Sequence, residues 1–318
     1  MKLIIQIPCF NEEETLAETV ADLPKTIDGV DSIEILVIDD GSSDRTQEVA
    51  RAAGVHHVVA HNHNMGLARA FATGVEYALH LGADIIVNTD ADNQYNGGDI
   101  PALVRPIIDQ NADIVVGDRQ TDQIQHFSPI KKKLQRLGSG VVRALSGTDV
   151  PDAVSGFRAI RRDAAIRLNI VSSYSYTVET LIQAGMKKMN VVSVPVRTKQ
   201  VERPSRLFKS MRGFIQAQLT TMMRMYAMFK PLRFFFYIGL TLAFIGILPI
   251  LRFLVAYIVG DGNGMIQSLI LGGVLLMMGF TTLIAALVAD LIGRNRQLIE
   301  ETLERVRRIE LQKNDRRE

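Results

Sequence analysis

Asp90 and Asp92 stand two residues apart at the end of a short apolar run, Ile85, Ile86 and Val87, within the sequence A-D-I-I-V-N-T-D-A-D-N-Q-Y of residues 83–95. A β-branched run of that length reads as a buried strand. The extended or turn segment after it lets both carboxylates aim at one point beyond the strand's C-terminal end, the edge at which open α/β sheets bind ligands. Carboxylates this close repel unless a cation lies between them. Hard divalent ions take oxygen from one or two carboxylates together with substrate phosphates, so the chemistry on offer is a nucleoside diphosphate held on Mg²⁺ or Mn²⁺. An isolated D-x-D more often just ends a strand in a solvated turn; its neighbours decide.

The elements that would position this pair alternate between two periods. Residues 3–7 read as a first strand, followed by Pro8, Cys9, Phe10, Asn11 and Glu12 and a helix with Leu16, Val20 and Leu23 on one face. A second strand over 33–38 runs into Asp39, Asp40, Gly41, Ser42, Ser43 and Asp44, and Gly54 ends the next helix. We expect Ser42 and Asp44 to cap that helix and Asp40 to contact ligand, because a cap needs only one of the polar residues present. A third strand over 58–60 precedes Asn64 and Gly66, the latter read as a turn residue, and a helix with Leu67, Phe71, Val75 and Leu79 that stops at Gly82. A helix over 100–110 and a strand over 113–116 follow the D-A-D stretch. Strands alternating with helices predict an α/β chain with a parallel, doubly covered sheet and its functional loops on one edge.

Composition narrows the setting. The 318 residues leave room for one large or two modest domains, and 47% hydrophobic with 22% charged residues is ordinary for a globular chain. The formal net charge of +2 hides a lopsided distribution, with no acidic residue between Glu202 and Asp261. Basic groups beside apolar segments form a membrane pattern rather than a nucleic-acid one, and no nucleic-acid partner is expected. The single cysteine, Cys9, excludes an intramolecular disulfide and suits a reducing compartment. The N-terminus, M-K-L-I-I-Q-I-P, reads as a strand rather than a signal peptide. His56, His57, His61 and His63 cluster without cysteine or helical pairing, which fits polar loop histidines better than a zinc site.

Four motifs in order, P-x-F-N-E at Pro8 to Glu12, D-D-G-S-x-D at Asp39 to Asp44, N-x-G at Asn64 to Gly66 and D-A-D-x-Q at Asp90 to Gln94, resemble the family 2 glycosyltransferases. These are nucleotide-sugar enzymes of the GT-A fold, a Rossmann-like, mostly parallel sheet, and the resemblance spans residues 2–197. It implies that Pro8, Phe10, Glu12, Asp39, Asp40 and Asp90 bind the donor, and that Asp90, Asp92 and Gln94 hold Mg²⁺ or Mn²⁺ on its diphosphate. A further element, D-x-x-S-G-F-R at Asp152 to Arg158, is similar to the polyprenyl-phosphate and dolichol-phosphate mannosyltransferase subgroup. There Gly156 would allow a turn, and Asp152 and Arg158 would face the sugar or phosphates, joining Asp90 and Asp92 as catalytic residues. The subgroup's acceptor-phosphate ligands map to Arg119, Lys131 and Gln135, the last standing where those enzymes carry serine. Arg203 and Arg206 fall in a shortened version of the subgroup's lid segment. Guanidinium forks suit phosphate, and anionic headgroups are an equal use for such a basic segment. Glu179, on a helix expected over 178–185, fits the surface as well as a sugar contact.

The C-terminal third reads as membrane-associated. Residues 207–229 form a basic, acid-free amphipathic helix of the interfacial kind. Residues 234–259 and 265–292 are apolar over more than the roughly 20 residues that a span needs. Lys230, Arg233, Arg294 and Arg296 flank their outer ends while the connecting loop carries only Asp261, so the positive-inside rule places both termini and the catalytic part in the cytoplasm. The organisation expected is a catalytic domain over 1–200, a lid and juxtamembrane helix over 201–233, a two-helix transmembrane domain over 234–292, and an amphipathic cytoplasmic tail over 293–318. That tail has Ile299, Leu303 and Val306 on one face, suited to the catalytic domain or to a second subunit in a homo-oligomer.

The reading that unites these features is a membrane-anchored inverting glycosyltransferase acting from a nucleotide-diphosphate sugar onto a polyprenyl phosphate at the cytoplasmic face of the bilayer. A transferase of the same fold that extends a lipid-linked glycan, and a catalytically silent membrane scaffold, are the alternatives. The intact D-A-D-x-Q argues against the scaffold.

Overall fold

The computed structural model describes the chain except residues 121–128, 172–175, 200–215, 217–218, 221–222, 225, 261–265 and 316–318, and leaves aside the side chains of 110, 129–137, 314 and 315. The chain divides into two compact units, Met1–Lys209 with Leu303–Glu318, and Ser210–Thr302.

The first unit is built on one seven-stranded sheet in the order β3-β2-β1-β4-β6-β5-β7. Its strands are β1 (Lys2–Cys9), β2 (Ser32–Asp39), β3 (His57–Ala60), β4 (Ile85–Asn88), β5 (Ile114–Asp118), β6 (Arg158–Arg161) and β7 (Val191–Pro195). Helices α1 (Leu16–Ala21), α2 (Thr46–Ala52), α3 (Leu67–His80), α4 (Ile100–Gln110), α5 (Pro129–Ser146), α6 (Arg162–Arg167) and α7 (Tyr176–Met186) connect them. The alternation of β1 sends Leu3, Ile5 and Ile7 into one core with Leu16 and Val20 of α1 and Ile100, Leu103 and Val104 of α4. Each such fully buried side chain contributes about 1.5–3 kcal/mol.

The sheet is mostly parallel, as expected, with one exception. β6 runs antiparallel to both β4 and β5, pairing Asn88 with Arg158 and Val116 with Arg158. A reversed strand presents its N-terminal end at the edge where the parallel strands present their C-terminal ends. The chain before Arg158 is thereby delivered to the same edge as Asp90.

In the second unit, α8 (Pro231–Val259) and the leading part of α9 (Ile266–Asp315) are long and apolar enough to cross a membrane, with mean hydropathy 2.4 and 2.2 in their most apolar stretches. Only 6% and 17% of those stretches is buried, which separates them from the core helices of a soluble protein. Their backbones approach at small residues: a Cβ on Gly239 would lie 2.9 Å from the carbonyl oxygen of Gly279, the close packing that glycine permits between membrane helices. Of the expected juxtamembrane helix, most lies outside the described residues, and residues 226–229 are helical.

The separate tail is corrected. Helix α9 runs on without a break to Asp315, so the second span and the tail are one element. No proline interrupts it, and i,i+4 pairs Asp290–Arg294, Arg296–Glu300 and Glu304–Arg308 follow one another along it. Its last turns pack within the first unit. Arg307 donates to the carbonyls of Leu168 at 2.8 Å and Ile166 at 3.3 Å, Arg308 reaches Asp163 at 2.9 Å, and Leu311 is 5% exposed. Arg307 thus occupies the carbonyls left open at the end of α6.

Candidate active site

The ends of β1, β2, β4 and β5 and the start of β6 carry the polar residues singled out above. At β4, the strand is wholly buried and ends on Asn88, whose side chain bridges the sheet: it accepts from Gln6 Nε2 at 2.9 Å and donates to the Gly156 carbonyl and to Tyr176 Oη, each at 2.9 Å. Beyond it, Thr19 Oγ1 of α1 donates to the Ala91 carbonyl at 3.0 Å, and Asp92 Oδ1 accepts from the Gln94 backbone N–H at 3.1 Å. The D-A-D turn is therefore held from below by the sheet and from one side by α1.

Asp90 makes no hydrogen bond among the described residues, and its pKa is pushed up to about 7. Burial is the main cause and the Asp92 carboxylate the next, with Glu12 adding to it and the Arg119 cation opposing. A desolvated carboxylate crowded by a second one is a group that a nearby cation would favour in its charged form. Among the described residues, no three or more His, Cys, Asp or Glu side chains converge as a self-sufficient metal cluster. The donor set fits an ion of the Mg²⁺ type, which takes one or two carboxylates and completes its shell with phosphate and water.

Gly156 approaches this pair most closely. A Cβ there would lie 3.1 Å from Asp90 Oδ1 and 2.8 Å from Tyr176 Oη. Glycine is present because there is no room, rather than to permit a turn as expected, since its φ is not among the positive ones. Around it, Tyr176 stacks on Phe71 at 3.8 Å between ring centroids and Tyr95 on Phe157 at 4.8 Å. Tyr95 Oη accepts from the Gly156 N–H at 3.2 Å. Burial pushes the Tyr95 hydroxyl up to about 12 and holds that of Tyr176 well above its usual value, so both stay protonated. Neither tyrosine was signalled by the sequence, where each is one aromatic at the edge of an element.

Arg119, immediately after β5, forms a two-bond ion pair with Asp152, Nε to Oδ2 at 2.6 Å and Nη2 to Oδ1 at 3.0 Å. The two residues expected in separate roles, acceptor-phosphate and catalytic, are one structural pair. Burial opposes the Arg119 charge, but Tyr95 and Asp152 outweigh it and hold the Arg119 pKa above its usual value, so the cation is fixed.

Arg158 does not face the site. Its guanidinium is fully buried and donates to the carbonyls of Ser155, Thr177 and Ala153 and to Thr180 Oγ1, and burial lowers its pKa to about 10. It ties the loop before β6 to α7. Glu179 is likewise neither at the surface nor at the edge: it is fully buried, and its carboxylate accepts from the Val171 N–H at 3.1 Å.

On the β1–β2 side, Phe10 is 40% exposed beyond Pro8 and Cys9, and Glu12 accepts from Thr15 Oγ1 at 3.0 Å. Asp39 accepts from the Ser42 N–H and from Gln47 Nε2 at 2.6 Å. Asp40 accepts from the N–H groups of Met65 and Gly66 at 2.9 and 2.8 Å and contacts His61 Nδ1 at 2.8 Å. The two aspartates hold the loops that follow β2 and β3. Asp44 does receive the first N–H of α2, from Thr46 at 3.0 Å, while Ser42 accepts from the Asn11 N–H instead of capping. His61 thus serves Asp40, and His57 pairs with Glu34 at 2.8 Å.

Of the other expected acceptor residues, Lys131 and Gln135 lie on α5 with side chains outside the described ones, and Arg203 and Arg206 lie outside the described residues. Lys199, which no motif singles out, does reach the D-A-D stretch. Its N–H donates to the Gln94 carbonyl at 2.8 Å and its Nζ to Asn93 Oδ1 at 2.9 Å.

The sequence model of glycosyl transferase family 2 matches residues 4–168 of this chain. Among curated proteins, an uncharacterized protein of Methanocaldococcus jannaschii is 33% identical over 202 residues, 62% of this chain and 81% of its own. The UDP-N-acetylglucosamine–dolichyl-phosphate N-acetylglucosaminyltransferase of Methanococcus voltae is 32% identical over 216 residues, 60% and 83% of the two chains. The undecaprenyl-phosphate mannosyltransferase of Micrococcus luteus is 29% identical over 206 residues, 62% and 83%. Among solved structures, glucosyl-3-phosphoglycerate synthase from Mycobacterium tuberculosis, in complex with Mn²⁺, UDP and glucosyl-3-phosphoglycerate, superposes with a TM-score of 0.51 at 22% identity, covering 70% of this chain and 79% of that one. That likeness is one of fold.

Proposed function

The chain belongs to glycosyl transferase family 2, and from that premise we propose that it is a membrane-anchored inverting enzyme that transfers a sugar from a nucleoside diphosphate sugar to a polyprenyl phosphate on the cytoplasmic face. The observation that carries the proposal is Asp90: a carboxylate without a hydrogen-bond partner among the described residues, beside Asp92, at the sheet edge where ligands bind. The Methanococcus and Micrococcus relatives are named for transfers to a polyprenyl-type phosphate, which supports the acceptor. The two apolar helices support the membrane anchor.

In this reading Asp90, Asp92 and Gln94 hold Mg²⁺ or Mn²⁺, which when bound offsets the charge on the departing diphosphate. Phe10 offers its ring to the base, with Pro8 and Glu12 beside it, while Asp39 and Asp40 fix the loops that border the nucleotide. A phosphate oxygen of the lipid forms the new bond to the anomeric carbon as the bond to the diphosphate breaks, and the nucleoside diphosphate leaves. The lipid phosphate is already anionic near neutral pH, so the protein must position it and neutralise its charge rather than supply a strong base. Arg119, Arg203 and Arg206, with Lys131 and Gln135 on α5, are assigned to that phosphate. Asp152 keeps the Arg119 fork oriented.

The test is a choice of acceptor. Purified protein in nanodiscs is given each of a panel of UDP- and GDP-sugars with either undecaprenyl phosphate or a soluble oligosaccharide. One donor is expected to yield a lipid-linked sugar and none to elongate the oligosaccharide. Elongation without lipid product would reassign the acceptor, and hydrolysis or silence with every donor would remove the transferase reading.

A further inference from the structure

Lys199 and Asn93 are joined at the outer side of the D-A-D turn in a way that the transfer chemistry alone does not require. Asn93 has φ +55, a left-handed conformation, and is 8% exposed. Asparagine tolerates that region better than most residues, but only as a single strained position. It lies between Asp92 and Gln94, and the Gln94 N–H returns to Asp92 Oδ1 at 3.1 Å, so one turn sets the direction of both groups assigned to the metal.

Three strands of contact fix that turn, and Lys199 makes two of them. Its backbone N–H holds the Gln94 carbonyl at 2.8 Å, and its ammonium bridges Asn93 Oδ1 at 2.9 Å and Asp22 Oδ2 at 3.1 Å. The third is Asp22 itself, whose Oδ2 also accepts from the Gly97 N–H at 2.8 Å. Around these, Tyr95 pairs with Thr198 in an antiparallel bridge, and Arg197 binds Asp99 through its backbone N–H at 2.7 Å and its Nε at 2.9 Å. The stretch after the D-A-D pair is thereby laced to residues 197–199. Because Asp22 already balances the ammonium, Lys199 acts on the turn by geometry more than by charge.

We propose that Lys199 is a positioning residue that holds the turn Asp92-Asn93-Gln94 in its metal-binding shape through Asn93. The proposal rests on the reading of Asp90, Asp92 and Gln94 as metal ligands. Partners that orient metal ligands typically change metal affinity by about tenfold or more when removed. A purely structural lysine would lower the unfolding temperature and leave metal affinity alone.

The experiment measures Mn²⁺ binding to the full-length protein in detergent, with UDP or GDP present, from the electron paramagnetic resonance signal of free Mn²⁺. Lys199→Met is expected to raise the Mn²⁺ dissociation constant about tenfold, Asn93→Ala to raise it similarly, and the double variant to be no worse than the more severe single one, because the two residues act as one unit. An unchanged constant in Lys199→Met, or a fully additive loss in the double variant, overturns the proposal. If Lys199→Met does not fold, Asn93→Ala carries the test, and an unchanged constant there is equally fatal. Asp92→Asn is the control: binding unaltered in it too means that the metal reading itself has failed, whereas binding lost in Asp92→Asn but kept in Lys199→Met condemns only the role of Lys199.

Discussion

Arg119 and Asp152 face each other with Nε 2.6 Å from Oδ2 and Nη2 3.0 Å from Oδ1, and the Asp152 side chain is 2% exposed. The pair joins the end of β5 to the loop before β6, the loop in which a Cβ on Gly156 would lie 3.1 Å from Asp90 Oδ1. Removing one partner of a buried pair strands the other charge, at a cost of about 3–5 kcal/mol. Asp152→Asn is therefore expected to lower stability by that order in denaturant unfolding followed by near-UV circular dichroism. Combining Arg119→Met with Asp152→Asn should recover most of the loss while transfer to polyprenyl phosphate stays low. Recovery of transfer along with stability would mean that Arg119 has no role toward the acceptor.

Gly156→Ala inserts a methyl 2.8 Å from Tyr176 Oη and 3.1 Å from Asp90 Oδ1. The tyrosine is stacked on Phe71 and cannot retreat easily, so the carboxylate is the group displaced. Overpacking of this kind costs about 1–3 kcal/mol. Expected are a folded protein, a modest drop in unfolding temperature and a disproportionate loss of Mn²⁺ affinity. Turnover and metal binding equal to those of the parent would show that Asp90 is not held where the contact places it.

Topology has its own test. A cysteine introduced at Asn263 should react with a membrane-impermeant maleimide on intact cells, and one at Asn314 should react only after permeabilisation. The native Cys9 is buried and gives little background. Labelling in the reverse order would place the catalytic unit on the other side of the membrane.

How far the sequence reached depended on whether a signal was local. Strand ends bearing Glu12, Asp40 and Asp90, the helix over 100–110, and the two apolar segments follow from periodicity, β-branching and punctuation by Gly and Pro, all contained in short windows. The reversed β6 was invisible, because strand direction is set by pairing with β4 and β5 across more than forty residues of chain. Arg158 illustrates the harder limit. An arginine next to S-G-F invites a phosphate reading, and only the carbonyls of Ser155, Thr177 and Ala153 around it reveal a buried strut. Lys199 was missed for the converse reason: a lysine after a strand is ordinary until Asn93, 106 residues earlier, is found under its ammonium. Tail and span were divided at Ile292 because composition changes there, yet hydrogen bonding continues through it, and a helix does not end where its solvent does.

The most direct measurement of the central claim is transfer of labelled sugar to undecaprenyl phosphate by the Asp92→Asn protein and its parent, with the effective donor, in Mn²⁺ and after chelation with EDTA. One charge is lost from a site assigned to hold a cation, so the variant should fold, keep its helix content and yield no lipid-linked product, and the parent should lose its activity in EDTA and regain it on adding Mn²⁺. Near-parental transfer by Asp92→Asn, or transfer by the parent that is indifferent to EDTA, would contradict the metal site at Asp90, Asp92 and Gln94.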